Sequence, residues 1–158
     1  MAEATAMKRN HDRWLPGKKK TTTAASFRLH QWRLPEPEEL KINIDGAYLP
    51  RTNEGAVVSV CRDNSGKLID GFARSIEASS AAQAEAQAMV ETLMYFSTRT
   101  KVSLKVESDH FDLISALTGG AQIGWEIQGL IKKAHSLLKS FKDLKLTYIN
   151  RESNRVAD

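Results

Sequence analysis

Cysteine is nearly absent from this chain of 158 residues, in which Cys61 is the one example. An internal disulfide is therefore excluded, and a reducing compartment is the expected setting. Cys61 ends the apolar run "GAVVSVC", which favours a buried core thiol over a reactive one. The four histidines lack zinc-binding spacing and neither CxxC nor HExxH occurs, so no zinc site is predicted.

Long apolar segments are missing as well. The longest apolar runs are far too short to cross a bilayer, and the opening "MAEATAMKRN" has no apolar stretch of the kind a secretory signal requires. We therefore expect an intracellular protein, in the nucleus or the cytoplasm, with no membrane partner. A hydrophobic content of 41% and a charged content of 27% are ordinary for a globular domain.

The net charge of +4 is unevenly distributed along the chain. Residues 1–39 hold eight Lys or Arg against five Asp or Glu, whereas residues 40–158 hold 15 against 14. The densest basic run, "GKKKTTT" at 17–23, is open to three interpretations: a phosphate contact, a solvated linker or a targeting signal. We predict that residues 1–39 are a mostly disordered basic tail with a proline-containing lead-in, and that residues 40–158 form the domain.

The hydrophobic periodicity predicts an α/β fold. Apolar alternation predicts strands over 40–49, 54–63 and 67–73, which form an antiparallel meander, and later strands over 101–108 and 145–150. Helical patterns cover 79–98 (capped by Ser79 or Ser80), 109–119 and 125–141, and "SNRVAD" at 153–158 resembles the first turn of another helix. This order predicts a mixed five-stranded sheet with helices on its faces.

Two aspartates stand at unusual places in the strand pattern. Asp45 lies opposite Ile42 and Ile44 in the first strand and is followed at once by Gly46. Asp109 directly follows the fourth strand, on the phase opposite its apolar residues. If these strands are neighbours, the two carboxylates can meet on one face. The alternatives are a turn aspartate for Asp45 and a helix N-terminal acid for Asp109.

Glu85 lies on the helix face that the pattern predicts to be buried, together with Ala81, Ala82, Ala88, Met89 and Thr92. A glutamate at the edge of that face, reaching solvent, is the alternative. Carboxylates that converge repel one another and require a cation, and oxygen ligands alone indicate Mg²⁺ or Mn²⁺. An all-carboxylate site is typical of two-metal phosphoryl chemistry.

Four segments carry a resemblance to a known family: "WRLPEPEELKINIDGAY", "GAVVSVCRDNSGKLIDGFARSIEASSAAQAEAQAM", "LKVESDHFDLISAL" and "YINRESNRVAD". Together they resemble the ribonuclease H type 1 domain, in the reverse-transcriptase-like form abundant in plant genomes and retroelements. The resemblance covers residues 32–158. It implies a ribonuclease H-like sheet whose C-terminal helix is truncated here, because the chain stops at Asp158.

The resemblance implies a Mg²⁺-dependent endonuclease that hydrolyses the RNA strand of RNA–DNA hybrids and leaves 5′-phosphate and 3′-hydroxyl ends. Asp45, Glu85, Asp109 and Asp158 would be its catalytic residues and would bind two Mg²⁺ ions, with Mn²⁺ as a substitute. The expected nucleic-acid contacts are Gly46, which would let the backbone approach the scissile strand, and Asn154, Lys132 and Lys133. With Lys139 and Lys142, the last two form a basic face on the long helix, or a merely solvated one. We expect a monomer that binds an RNA–DNA hybrid or another nucleic acid.

Two departures from the family pattern leave a second function open. Tyr148 stands where the family often has a loop histidine, and tyrosine is a poor proton carrier at neutral pH. The chain also ends at Asp158, before the helix that would fix this residue, so a looser metal site is expected. The alternatives are a nucleic-acid-binding module or retroelement remnant with little or no catalysis, and a gene fragment without an independent role.

Overall fold

The computed structural model describes residues 32–155, which build one five-stranded sheet in the order β3-β2-β1-β4-β5. Its strands are β1 (Glu39–Leu49), β2 (Glu54–Arg62), β3 (Leu68–Glu77), β4 (Ser103–Ser108) and β5 (Leu144–Tyr148). The first three strands pair antiparallel, whereas β4 runs parallel to both β1 and β5. The mixed sheet predicted from the sequence is confirmed, including its antiparallel meander.

Three α-helices connect and cover these strands: α1 (Ala81–Tyr95), α2 (Phe111–Thr118) and α3 (Gln128–Leu138). Single 3₁₀ turns occupy Ser97–Arg99, Trp125–Ile127 and Arg151–Ser153. Gly119 ends α2 in the left-handed conformation, with φ of 117°, as the sequence predicted for the close of this helix.

Element boundaries differ from the predicted ones mainly at the ends. Strand β3 runs four residues further than predicted, to Glu77, because its pairing with β2 continues to Glu54 although three of the four added side chains are polar or charged. Helix α1 ends at Tyr95 rather than at 98, and α3 ends at Leu138 rather than at 141. In both cases the last predicted turn tightens, since the N–H groups of Arg99 and Phe141 donate to carbonyls three residues earlier.

One face of the sheet meets all three helices. The alternation in β1 turns Ile42 and Ile44 to this face, where they join one continuous core with residues of α1, α2 and α3. Cys61 lies in the same core, and burial raises the pKa of its thiol to about 11, which confirms the buried, unreactive cysteine. Among the described residues, the three helices lie on this one face of the sheet.

The opposite face of β1 carries polar residues joined in a buried network. Lys41 and Glu107 form an ion pair of 3.0 Å with side chains only 3% and 5% exposed. Asn43, fully buried, donates to Glu107 and accepts from the Trp32 indole N–H at 3.0 Å. The Asn154 amide donates to the Ile44 carbonyl at 2.9 Å. These contacts fix the backbone of β1 from the side that the helices do not reach.

Several predictions fall outside residues 32–155. The disordered tail, apart from its last few residues, the basic run at 17–23 and the fourth acid, Asp158, all belong to segments that the structure does not describe. The sheet begins at Glu39, after an irregular lead-in from Trp32, and the predicted domain boundary at residue 40 stays a prediction. Within the described part, no helix combines the length and the apolar character needed to cross a membrane.

The contact between α1 and β1 is closest at Gly46. A Cβ placed on Gly46 would lie 2.4 Å from the Ala84 carbonyl carbon and 2.5 Å from the Glu85 nitrogen, both of them backbone atoms. Real Cβ atoms do not approach backbone so closely, and backbone cannot swing aside as a side chain can. Glycine is therefore required at 46 by the packing of the helix on the strand.

Gly46→Ala is expected to lower the free energy of unfolding by about 3 kcal/mol, because the helix must move away from the strand to admit a methyl group. The measurement is urea denaturation of the variant beside the parent chain. Gly129→Ala is the matched control, since Gly129 lies in α3 with nothing within 4 Å of its added Cβ and should gain slight helix stability. Equal stability of the two variants would contradict this packing argument.

Candidate active site

Helix α1 places Glu85 against strand β1. Ser80 caps the helix by accepting from the Gln83 backbone N–H at 3.1 Å, and the Gln83 side chain accepts in return from the Ser79 N–H at 2.7 Å. The first turn is thereby fixed, and the glycine at 46 lets it lie directly on β1. Glu85 is consequently buried, at 8% exposure.

Strands β1 and β4 bring the two aspartates together. Their parallel pairing places Asn43 beside Glu107, and Asp45 and Asp109 follow two residues later on each strand. The turn after β4 is tight, because Ser108 Oγ accepts from the His110 N–H and His110 Nδ1 accepts from the Leu113 N–H. The predicted juxtaposition of Asp45 and Asp109, derived from strand phase, matches this geometry.

Asp45, Glu85 and Asp109 form one cluster. Each offers a carboxylate oxygen, and these oxygens all lie within 4.8 Å of one another. Glu85 is buried, and the two aspartates are half-buried. The predicted buried face of α1 agrees for Ala88, Met89 and Thr92, which are buried, and for Ala82, which is half-buried; Ala81 opens the helix and is exposed.

The electrostatics of the cluster disfavour three negative charges. Burial, followed by the charges of Asp45 and Asp109, raises the pKa of Glu85 to about 8. The Gly46 backbone N–H donates to Glu85 and opposes this rise. Glu85 Oε2 is buried and has no hydrogen-bond partner among the described residues. A buried carboxylate oxygen without a hydrogen-bond partner, close to two further carboxylates, requires a positively charged group to compensate it.

These residues fit a hard divalent cation. Mg²⁺ and Mn²⁺ prefer carboxylate oxygens, and a cation within the cluster would supply the partner that Glu85 Oε2 lacks. Lys41 is the buried cation of the polar network on β1. It is already paired with Glu107 and donates to the Arg33 carbonyl. The donor set therefore favours a metal ion over a lysine as the compensating charge.

The other predicted site residues do not belong to the cluster of Asp45, Glu85 and Asp109 among the described residues. Asp158 falls outside the described residues. Asn154 has no accessible surface and holds the backbone of β1 through the Ile44 carbonyl, so in this structure it acts from beneath the site. Lys132 and Lys133 are exposed on α3, whereas Lys139 and Lys142 follow the end of that helix and do not extend its face.

Two features of the site region were missed from the sequence. The Lys41–Glu107–Asn43 network beneath β1 and β4 joins residues far apart in the chain, and nothing local marks them as partners. The aromatic contact between Phe111 and Tyr148, with ring centroids 5.4 Å apart, depends on the pairing of β4 with β5. The alternation of Lys41, Asn43 and Asp45 on one phase of β1 was the available signal for the first feature.

The profile of the family described as reverse transcriptase-like matches residues 43–158. The chain therefore belongs to this family, and its domain is of the ribonuclease H type. A relative from Arabidopsis thaliana, named "Putative ribonuclease H protein", is 29% identical over 132 residues, which are 83% of this chain. The matched part is only 21% of that relative, so the chain spans about a fifth of its length.

Solved structures of ribonucleases H share the fold. The RNase H1 of the halophilic archaeon Halobacterium salinarum superposes with a TM-score of 0.68 at 23% identity, covering 76% of this chain and 92% of that one. The RNase H1 called LC11, isolated from compost by a metagenomic approach, was crystallised in complex with an RNA/DNA hybrid. That structure superposes with a TM-score of 0.67 at 18% identity, over 75% of this chain and 91% of the other.

The raised pKa of Glu85 predicts a pH-dependent stability without divalent cations. The folded protein keeps on Glu85 a proton that the unfolded chain releases near the ordinary pKa of 4.5. The free energy of unfolding should therefore be highest at acidic pH and fall by up to ~4 kcal/mol as the pH rises from about 5 to about 8. Urea titrations across this range measure it, with and without Mg²⁺, which should remove much of the fall.

Glu85→Gln should flatten this profile, because glutamine carries no titrating proton. Glu126→Gln is the matched control, since Glu126 is exposed in the turn before α3. A profile for Glu85→Gln as steep as that of the control would show that Glu85 is not the group responsible.

Proposed function

We propose that this chain is a metal-dependent endoribonuclease that hydrolyses the RNA strand of RNA–DNA hybrids. The observation that carries the proposal is the cluster of Asp45, Glu85 and Asp109, whose oxygens lie within 4.8 Å of one another on a ribonuclease H fold. The LC11 complex with an RNA/DNA hybrid supports the substrate class. All three acids come from one copy of the chain, so the proposed site needs no second subunit, and we propose that the chain acts as a monomer.

The three carboxylates would hold two Mg²⁺ ions, and Asp158 is proposed as a fourth ligand. Bound Mg²⁺ lowers the pKa of a coordinated water and neutralises charge that develops on the phosphate. Asp45 would help to hold the ions from β1, the central strand of the sheet. Its backbone is held by pairing with Val58 of β2, and the pairing of β1 with β4 ends two residues earlier, at Asn43.

The protein's own contribution is to orient the acids and to control their protonation. A bound cation would favour the ionised form of Glu85, because it would offset the burial and the two aspartate charges that raise the pKa of this carboxyl. The Gly46 N–H keeps the ionised carboxylate in place. The Lys41–Glu107 pair links β1 to β4, so it would hold the two strands together when the charge of the acid cluster changes. Selection of RNA would come from contacts to 2′-hydroxyl groups in the wide minor groove of the hybrid.

A nucleic-acid-binding role without efficient turnover is the second candidate. It is favoured by Tyr148, which stands 45% exposed at the end of β5, at the position where the family often has a histidine. A phenol at this position does not replace an imidazole, so product release or proton transfer would be slow. The exposed Lys132 and Lys133 on α3 would then contact phosphates and make the binding salt-dependent.

The test is cleavage of an end-labelled RNA–DNA hybrid by the full chain in Mg²⁺, in Mn²⁺ and in EDTA. We expect cutting of the RNA strand in either metal and none in EDTA. Asp45→Asn should lower the rate at least about 100-fold, because it removes a charged metal ligand while keeping the size of the side chain. Cutting of the DNA strand instead would contradict the proposed substrate.

Asp143→Asn is the matched control, because Asp143 is exposed beside β5 and lies outside the acid cluster. It should cut at the parental rate. Hybrid binding without metal-dependent cutting by the parent chain would overturn the enzyme and support the second candidate. Loss of activity in both Asn variants would point to a general effect of charge and not to a metal ligand.

A further inference from the structure

Two large aromatic side chains face solvent together near the acid cluster. Phe111 is 62% exposed and Tyr148 is 45% exposed, and their rings meet edge to face at 88° with centroids 5.4 Å apart. Single exposed apolar residues are common on proteins. Two aromatic rings that touch each other and remain open to water form a small apolar surface, which is a feature of contact sites.

The fold places this pair beside the carboxylates. Phe111 is the first residue of α2 and follows Asp109 by two positions. Tyr148 is the last residue of β5 and is the register partner of Ser108, the residue before Asp109. Both rings therefore flank the short turn that carries Asp109 into the cluster.

On its other side, Tyr148 borders a cleft of about 300 Å³. This cleft is also lined by Arg33, Lys105 and Asn150. Arg33 is exposed and offers positive charge at this cleft, whereas Lys105 lies 4.0 Å from Glu107, an acid that also lines it. The aromatic pair thus stands close to Asp109 along the chain and adjoins, through Tyr148, a cleft with an exposed cation.

We propose that Phe111 and Tyr148 form a nucleotide-contact surface that packs against the flat apolar face of a sugar or base next to the cleaved phosphate. The proposal rests on the function proposed above for the acid cluster. Aromatic side chains bind nucleotides in this way with little dependence on sequence, because every base offers a π face. The surface would position the strand without selecting its sequence.

The charge of the domain makes such a contact important. Residues 40–158 carry 15 basic against 14 acidic side chains, so few cations are in excess to bind phosphates. Electrostatic affinity grows with the number of phosphates neutralised and is lost in salt, whereas apolar stacking releases no counterions. A near-neutral domain gains affinity from aromatic contacts that salt does not remove.

The experiment measures binding apart from cleavage, by fluorescence anisotropy in EDTA over a series of salt concentrations. One probe is a fully paired RNA–DNA hybrid, and the other is the same hybrid with single-stranded overhangs. Phe111→Ala and Tyr148→Ala should each weaken binding about tenfold, with an unchanged slope of affinity against salt. A loss with both probes indicates the sugar face, and a loss with the overhang alone indicates an unpaired base.

Ring-retaining variants and a distant truncation are the controls. Phe111→Trp and Tyr148→Phe should bind like the parent chain, because each keeps a stacking face. Leu68→Ala removes an equally exposed apolar side chain, 57% exposed on β3 at the far edge of the sheet, and should also leave binding unchanged. Neither ring belongs to the hydrophobic core, so their truncation does not remove core packing.

The outcomes separate this proposal from the enzymatic one. Parental affinity in both alanine variants, or a parent chain that binds neither probe, would overturn the nucleotide contact. A fall in the salt slope would overturn it too, because that result marks a lost phosphate contact. A parent chain that binds through these rings yet never cuts would overturn the proposed catalysis alone.

Discussion

The close approach of α1 to β1 at Gly46 is the contact on which the site depends. The helix backbone at Ala84 and Glu85 occupies the space that a side chain on Gly46 would fill. This approach sets the distance between Glu85 and Asp45, and it also lets the Gly46 N–H donate to the Glu85 carboxylate. Gly46 therefore allows the carboxylates of Asp45 and Glu85 to come close together, and its N–H partly offsets their repulsion by hydrogen-bonding to Glu85.

Among the described residues, the buried charges other than Glu39 fall into two separate groups. Beneath β1 and β4, Lys41 and Glu107 neutralise each other at 3.0 Å, and Asn43 and Trp32 complete their hydrogen bonding. Beyond the paired residues of β1 and β4, Glu85 meets Asp45 and Asp109. The pKa of Glu85 is raised by burial and by these two aspartates, and the Gly46 N–H opposes the rise. The charges of the first group neutralise each other, so this group can stabilise the strands. The second group carries uncompensated negative charge that a cation would balance, which distinguishes a functional cluster from a structural one.

Much of this arrangement follows from local pattern. Alternation in "KINID" and "KVSLKVES" placed Asp45 and Asp109 on matching phases, and strand adjacency made them neighbours. The packing requirement at Gly46 was missed from the sequence, because the sequence shows that a glycine is present but not which backbone approaches it. In the structure the backbone of α1 approaches it, and a contact of Gly46 with a nucleic-acid strand stays a prediction. The buried ion pair and the Phe111–Tyr148 contact join strands distant in sequence, and no local period encodes such pairs.

The parallel pairing of β1 with β4 has a consequence for folding. Asn43 and Glu107 hydrogen-bond across 64 positions of the chain, and the acids above them come from the same strands and from the helix between. Contacts between distant segments form late, since the intervening chain must first be ordered. The acid cluster thus requires the native pairing of β1 with β4, and in the unfolded chain its members are solvated and far apart. Repulsion among the acids therefore arises with the native topology, so a divalent cation would recognise the folded chain and not the unfolded one.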